Sequence, residues 1–159
     1  CYYLRNTYFE NNLITPDKLT MCGVPVDLSY IDMPAYVLAT KEDHIVPSRA
    51  AYSSATFLGG DTQFVLGASG HIAGVVNPAS KNKRSYWVGG ELQLTLSEWL
   101  ENATEVEGSW WPHWIKWLKP FGGRMIAARK ELGGAGFTPI EPAPGRYVKA
   151  KAQANAQQE

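Results

Sequence analysis

The sequence lacks several features that mark particular classes of protein. Its longest apolar run, Met33 to Ala39, is seven residues, whereas a membrane-spanning helix needs roughly 18 or more. The first twenty residues include four charged side chains and no apolar stretch like that of a secretory signal. Two cysteines are too few for a disulfide framework. We therefore expect a cytoplasmic protein with no transmembrane segment.

Net charge is also missing, because 15 Lys and Arg balance 15 Asp and Glu in a chain of 159 residues. No overall field attracts phosphate backbones or anionic lipid, so nucleic-acid binding is not predicted. All five aspartates lie in the first half of the chain. The basic tract of Lys81, Lys83 and Arg84 is interpreted as a solvated loop rather than an anion site.

Neither cysteine has the surroundings of a nucleophile. A cysteine on a strand-to-helix turn has a small residue two positions away on both sides, and Cys1 and Cys22 do not. We expect both to be structural, because a free cysteine commonly behaves as a small buried hydrophobe.

Hydrophobic patterning predicts an α/β fold. After a short aromatic-faced helix in residues 2–14, the apolar run 34–40 has the length of a buried strand. A helix start at Pro47 and Ser48 and a stop at Gly59 and Gly60 bound an amphipathic helix, and a second strand follows at 62–66. This order is a βαβ unit and favours a parallel sheet with flanking helices.

All six tryptophans lie between residues 87 and 117. Three of them fall on two predicted helical faces, Trp99 on one and Trp111 with Trp114 on the other. We interpret them as helices packed on the sheet, with the wall of an apolar ligand pocket as the alternative. From Gly133 onward the chain is rich in Gly, Pro, Ala and Gln, which predicts a loose tail.

Two titratable side chains follow the two predicted strands. Asp43 lies after the first and His71 after the second, 28 residues later. Loops at the carboxyl ends of parallel strands lie side by side, and acid before histidine is the order found in α/β-hydrolases. Two other interpretations stay open: a carboxylate that caps the next helix with a solvated histidine, or a metal site that includes His44. The metal site is disfavoured because adjacent residues on an extended loop point apart.

Longer motifs resemble a known family. The stretches, in chain order, are CYYLRNTYFENNL, MCGVPVDL, KEDHIVP, LGASGHIAGVVNPASKNKRSYW, GSWWPHWIKWL and EPAPGRYVKAKA. They resemble the carboxyl-terminal part of class I poly(3-hydroxyalkanoate) synthases over nearly the whole chain. In that family a cysteine in a G-x-C-x-G box acts with an Asp and a His, and the matching motifs place these at Asp43 and His71.

The sequence departs from the family in one respect, because it contains no G-x-C-x-G or G-x-S-x-G box. The resemblance therefore implies a carboxyl-terminal fragment holding the carboxyl-terminal half of an α/β-hydrolase fold, incomplete on its own. Residues 1–20 would end the lid, 21–132 would belong to the catalytic domain, and 133–159 would be a flexible tail.

The resemblance also implies a function. The intact enzyme would polymerise (R)-3-hydroxyacyl-CoA, such as 3-hydroxybutyryl-CoA, into polyester with release of coenzyme A. His71 would be the general base, and Asp43 would orient it or activate the substrate hydroxyl. No cofactor or metal is implied, since the coenzyme A thioester is the substrate. A homodimer at the surface of polyester granules is expected. The alternatives are an esterase or depolymerase fragment and a non-catalytic granule-binding module.

Overall fold

The computed structural model describes residues 1–92 and 95–151. The first compact unit is Cys1–Gly122, and the second begins at Gly123. The regular elements of the first unit are, in chain order, β1 (Leu19–Met21), β2 (Val24–Val26), β3 (Ala35–Thr40), α1 (Ser48–Ala55), β4 (Thr62–Gly67), β5 (Ser85–Val88), α2 (Leu96–Asn102), β6 (Thr104–Glu107) and α3 (Trp111–Leu118).

The main sheet has the strand order β3-β4-β5-β6. Strands β3 and β4 are parallel, but β5 pairs antiparallel with β4 and with β6. The prediction of a parallel sheet was therefore wrong beyond the first two strands, and the sheet is mixed. The physical reason is the connection after β4: residues 68–84 do not cross over the sheet but return to the edge where β4 ends, so β5 runs back alongside it.

The predicted βαβ unit is confirmed. Strands β3 and β4 run in register from Ala35 opposite Thr62 to Thr40 opposite Gly67, with α1 between them in the chain. Helix α1 ends at Ala55 rather than at the predicted glycine stop.

Gly59 and Gly60 serve a different purpose from the predicted helix stop. Both N–H groups donate to the carbonyl oxygen of Ile31, at 3.1 and 3.0 Å. A Cβ on Gly59 would collide with the carbonyl oxygen of Ser29. Glycine is therefore required there by the close approach of two backbones.

A cluster of buried hydrophobic residues lies on one face of the main sheet. Strands β3 and β4, together with α1 and α2, supply its buried residues: Ala39, Tyr52, Ala55, Phe64, Leu66 and Trp99. The Trp99 indole meets the Phe64 ring edge to face, with ring centres 4.9 Å apart. The prediction that the helix around Trp99 packs on the sheet is therefore confirmed.

The opposite face of the sheet carries α3. Tyr36 neighbours the core residue Val37 on β3, so its side chain points to the other face. Its ring lies 5.3 Å from Trp117 and 6.2 Å from Trp110. Helix α3 has no buried residue, and Trp114 is 37% exposed. The prediction that the helical face from Trp111 to Leu118 packs on the sheet was therefore wrong for Trp114, Ile115 and Leu118, which are exposed.

The cysteine prediction was also wrong, because Cys1 and Cys22 are both exposed. Cys22 lies in the two-residue turn of a hairpin formed by β1 and β2, which the sequence patterning did not predict. Cys22 and Gly23 have φ of 50° and 80°, and two successive positive φ values are typical of the turn that matches the strand twist. A turn residue at the tip of a hairpin has no core to enter.

The ends of the chain are irregular. The predicted first helix is two short pieces, a π-helical turn at Leu4–Phe9 and a 3₁₀ turn at Asn12–Ile14, and the ring of Phe9 is 85% exposed. In the second unit the described residues include a 3₁₀ turn at Tyr147–Lys149. Residues 152–159 of the predicted tail lie outside the described residues. Within 1–92 and 95–151, no helix has both the length and the apolar character that a bilayer crossing requires.

Helix α2 offers a test of local stability. The Thr95 side chain accepts from the Glu98 N–H, and the Glu98 carboxylate accepts from the Thr95 N–H at 2.9 Å. Loss of such a cap costs about 1 kcal/mol, so Thr95→Ala should speed amide exchange in Leu96–Asn102 about fivefold in the full-length protein. Hydrogen–deuterium exchange followed by mass spectrometry measures this, with α1 as the unchanged internal reference.

The same cap predicts a pH dependence. Hydrogen bonds from Thr95 hold the pKa of Glu98 below its usual range. A depressed carboxyl pKa stabilises the helix above the unfolded value of about 4.3, and the contribution is lost as the pH falls through the folded value. The difference between wild type and Thr95→Ala should therefore shrink below about pH 4. An unchanged difference there would contradict the ionised cap.

Candidate active site

The loops after β3 and β4 leave the same edge of the sheet and run side by side. The strand pairing continues past the strands, because the Lys41 N–H donates to the Gly67 carbonyl oxygen at 2.8 Å and the Glu42 N–H to that of Ser69 at 2.9 Å. Ser69 has a left-handed φ of 70°, which turns the second loop sharply before His71. The predicted meeting of Asp43 and His71 therefore rests on backbone pairing.

Asp43 organises its own loop through one carboxylate oxygen. Its Oδ1 accepts the N–H of Ile45 at 2.8 Å and that of Val46 at 3.0 Å. Helix α1 begins after Pro47, with no side-chain cap. The carboxylate therefore shapes the turn before the helix and does not cap the helix itself. The alternative interpretation of Asp43 as a helix cap was wrong.

The same oxygen faces His71. The Asp43 Oδ1 lies 3.4 Å from the His71 Nδ1, and the side chains are 13% and 31% exposed. This Nδ1 atom is buried and has no hydrogen bond of good geometry within the described part of the chain. Such looseness is common in catalytic pairs before substrate binds. With Nδ1 turned to the carboxylate, Nε2 is the nitrogen left for proton transfer.

His44 lies next to His71, although the sequence disfavoured it as part of a metal site. Its ring meets that of His71 edge to face, with centres 5.0 Å apart. The expectation that Asp43 and His44 point apart was wrong, because the turn at Asp43 replaces the extended loop that the expectation assumed. The adjacency of Asp43 and His44 in the sequence was the available signal.

The electrostatics of the site favour an ionised Asp43. The Val46 N–H is the largest cause that holds the pKa of Asp43 below its usual range. The Ile45 N–H and the positive charge of protonated His71 and His44 act in the same direction, while partial burial opposes them. A carboxylate that stays ionised at neutral pH can orient an imidazole and stabilise its protonated form.

Other predicted groups are not drawn into this site. Lys81, Lys83 and Arg84 are exposed, as expected of a solvated loop. Among residues 1–92 and 95–151, no three His, Cys, Asp or Glu side chains are grouped so as to hold a metal ion. Asp43 and His71 can together supply a general base and its orienting carboxylate, and covalent catalysis would need a nucleophile in addition.

Curated proteins with similar sequences are named poly(3-hydroxyalkanoate) polymerases or their PhaC subunits. The chain is 56% identical over 152 residues to a poly(3-hydroxyalkanoate) polymerase subunit PhaC of Cupriavidus necator, which covers 96% of the chain and 26% of the relative. It is 46% identical over 147 residues to the subunit of the same name from Rhizobium etli, covering 92% and 23%. It is 42% identical over 142 residues to poly(3-hydroxyalkanoate) polymerase 2 of Ectopseudomonas oleovorans, covering 89% and 25%.

These relatives are much longer than this chain. The chain spans about a quarter of the length of these relatives. No protein-family model matches it.

Proposed function

The chain belongs to the poly(3-hydroxyalkanoate) polymerase family, and from that premise we propose that it supplies the acid and the histidine of a Cys-His-Asp acyltransferase site. The observation that carries the proposal is the 3.4 Å approach of Asp43 to His71 at the carboxyl ends of two adjacent parallel strands. The cysteine would come from another part of a full-length polymerase.

The proposed reaction forms a polyester from (R)-3-hydroxyacyl-CoA. The His71 Nε2 takes the proton of the cysteine thiol, and the thiolate attacks the acyl carbonyl carbon. The C–S bond to coenzyme A breaks, and the imidazolium returns the proton to the leaving thiolate. In elongation, the 3-hydroxyl of one unit gives its proton to the His71 Nε2 and attacks the thioester carbonyl of another. An ester bond forms, the C–S bond to the cysteine breaks, and the imidazolium returns the proton to the cysteine thiolate. No cofactor is needed, because the thioester is itself the activated substrate.

The parallel strands β3 and β4 support the proposed position of this site. A parallel βαβ unit with functional loops at the carboxyl edge is the arrangement of an α/β-hydrolase, and we propose that the chain forms the carboxyl-terminal half of one. Residues 1–20 would then end its lid. Homodimers and attachment to polyester granules in the cytoplasm are part of the same proposal.

A turnover assay together with a granule co-sedimentation assay separates the three candidate functions. Full-length polymerase containing this chain is given (R)-3-hydroxybutyryl-CoA, and both released thiol and the acyl product are quantified. We expect thiol release with polyester as the product. Thiol release with free 3-hydroxybutyrate would show a hydrolase, and granule co-sedimentation without turnover would show a binding module.

The isolated chain of 159 residues is the matched control. It contains no glycine-flanked Cys or Ser box, so we expect it to release no coenzyme A under the same conditions. Turnover by the isolated chain would overturn the assignment of the nucleophile to another part of the polymerase.

A further inference from the structure

His71 is carried by a single helical turn. The Gly74 N–H donates to the Gly70 carbonyl oxygen at 2.8 Å, and the Val76 N–H to that of Ile72 at 2.7 Å. Gly74 is buried where a Cβ would collide with the Ala68 carbonyl oxygen. The turn therefore has a defined backbone, and what holds its far end influences the direction of the imidazole.

The far end of the turn is held from α3. The carbonyl oxygen of Val75 accepts the indole N–H of Trp111 at 3.0 Å and that of Trp110 at 3.2 Å. Val75 is four residues after His71, one helical turn along the chain. We call Trp110, Trp111 and the Val75 carbonyl the indole clamp.

A buried polar contact stands next to the indole clamp. The Ser109 hydroxyl donates to the carbonyl oxygen of Asn77, and these residues are 3% and 5% exposed. The Asn77 side chain in turn donates to the Lys83 carbonyl oxygen at 2.6 Å. The segment after His71 is thus attached at Val75 and at Asn77 to the start of α3, which itself packs on the sheet against Tyr36.

Packing alone does not account for two indole N–H groups on one carbonyl. A phenyl ring can also pack in an apolar gap, whereas an indole adds a donor that usually finds a partner when it is buried. A carbonyl oxygen has two lone pairs, and both indole N–H groups donate to this one oxygen. Since an active-site displacement of about 1 Å can cost a factor of 10² in rate, such a tether on the His71 turn has catalytic value.

We propose that Trp110 and Trp111 are positioning residues for His71. Through the Val75 carbonyl they hold the turn so that the His71 Nδ1 stays within reach of Asp43 and Nε2 faces the nucleophile. The proposal rests on the proposed function, because it concerns the proton transfer assigned to His71.

The test is the double variant Trp110→Phe with Trp111→Phe in full-length polymerase, which keeps an aromatic ring at each position and removes both N–H donors. With (R)-3-hydroxybutyryl-CoA as substrate we expect kcat to fall about 10- to 100-fold while KM changes less than about twofold. Each single variant should lose about two- to fivefold in kcat, since one indole still holds the carbonyl. The same Trp→Phe change at Trp114, whose ring lies 6.0 Å from that of Trp110, is the matched control and should leave kcat within about twofold.

The outcomes separate cleanly. An unchanged kcat in the double variant, or a loss no larger than the fraction of protein that thermal unfolding shows to be misfolded, overturns the proposal. If the double variant does not fold, the single variants decide: wild-type kcat in both overturns it, and a lowered kcat at constant KM supports it. His71→Ala is measured in parallel. Retained activity there refutes the function assigned to His71, whereas activity lost in His71→Ala but kept in the double variant refutes the indole clamp alone.

Discussion

His71→Ala in full-length polymerase is expected to lower coenzyme A release from (R)-3-hydroxybutyryl-CoA by about 10³-fold or more. The imidazole is the group that faces Asp43 at 3.4 Å, and removal of a general base typically costs 10²–10⁴-fold. Without it the cysteine thiol keeps its proton at neutral pH, and the leaving thiolate finds no donor. The rate of thiol release at saturating substrate is the measurement, with the polyester yield as a second readout.

His44→Gln is the matched control for that experiment. Its imidazole belongs to the same cluster and contacts the His71 ring at 5.0 Å, but within the described ranges it has no ion pair with the carboxylate. We expect a loss of less than about tenfold, well short of the general-base range. Equal losses in the two variants would mean that the base cannot be assigned to His71. Thermal unfolding of both variants near the wild-type temperature is required for either conclusion.

Replacement of Asp43 should have the second largest effect. Asp43→Ala removes the acceptor for the N–H groups of Ile45 and Val46 as well as the charge beside His71, and we expect a loss of about 10²-fold or more. Asp43→Asn is the sharper variant. Its amide oxygen can still accept both N–H groups, so the turn is kept and only the charge is lost. We expect a loss of about 10²-fold or more, because a neutral amide neither stabilises the imidazolium nor holds the imidazole in the right tautomer.

The kinetic step affected tells the two proposed roles of Asp43 apart. If the carboxylate orients His71, then Asp43→Asn slows both the first acylation of the cysteine and the later elongation. If it activates the 3-hydroxyl of the incoming unit instead, a single acylation turnover proceeds at the wild-type rate and only elongation is slow. The 3.4 Å approach to Nδ1 favours the first result. Wild-type acylation would therefore contradict the orienting role.

Sequence patterns predicted the part of the fold that local chemistry controls. The seven-residue apolar run at 34–40 and the short strand at 62–66 enclose a helix with its own start signal, and the structure contains β3, α1 and β4 in that order. Two parallel strands joined by a helix must end at the same edge of the sheet. The proximity of Asp43 and His71 was therefore predictable without coordinates, and the family was predictable from the longer motifs.

Other features were missed because they depend on contacts between distant segments. The strand β5 follows a basic loop, and its direction is decided by where that loop returns to the sheet. The six tryptophans look alike in sequence, yet Trp99 is 1% exposed and Trp114 is 37% exposed, according to which side of a helix faces the sheet. Cys22 is exposed because it occupies the turn of a hairpin, where its backbone has a positive φ and its side chain lies away from the core.

By itself, the sequence determined the family, the βαβ unit, and the proximity of Asp43 and His71, because these depend on residue type and on spacing over one or two elements. The tertiary structure alone decided that the sheet is mixed, that one oxygen of Asp43 serves both its own turn and His71, and that two indoles hold the Val75 carbonyl. These contacts join residues 28 to 36 positions apart. Such pairs meet only where packing brings their elements together, and no periodicity in the chain records that meeting.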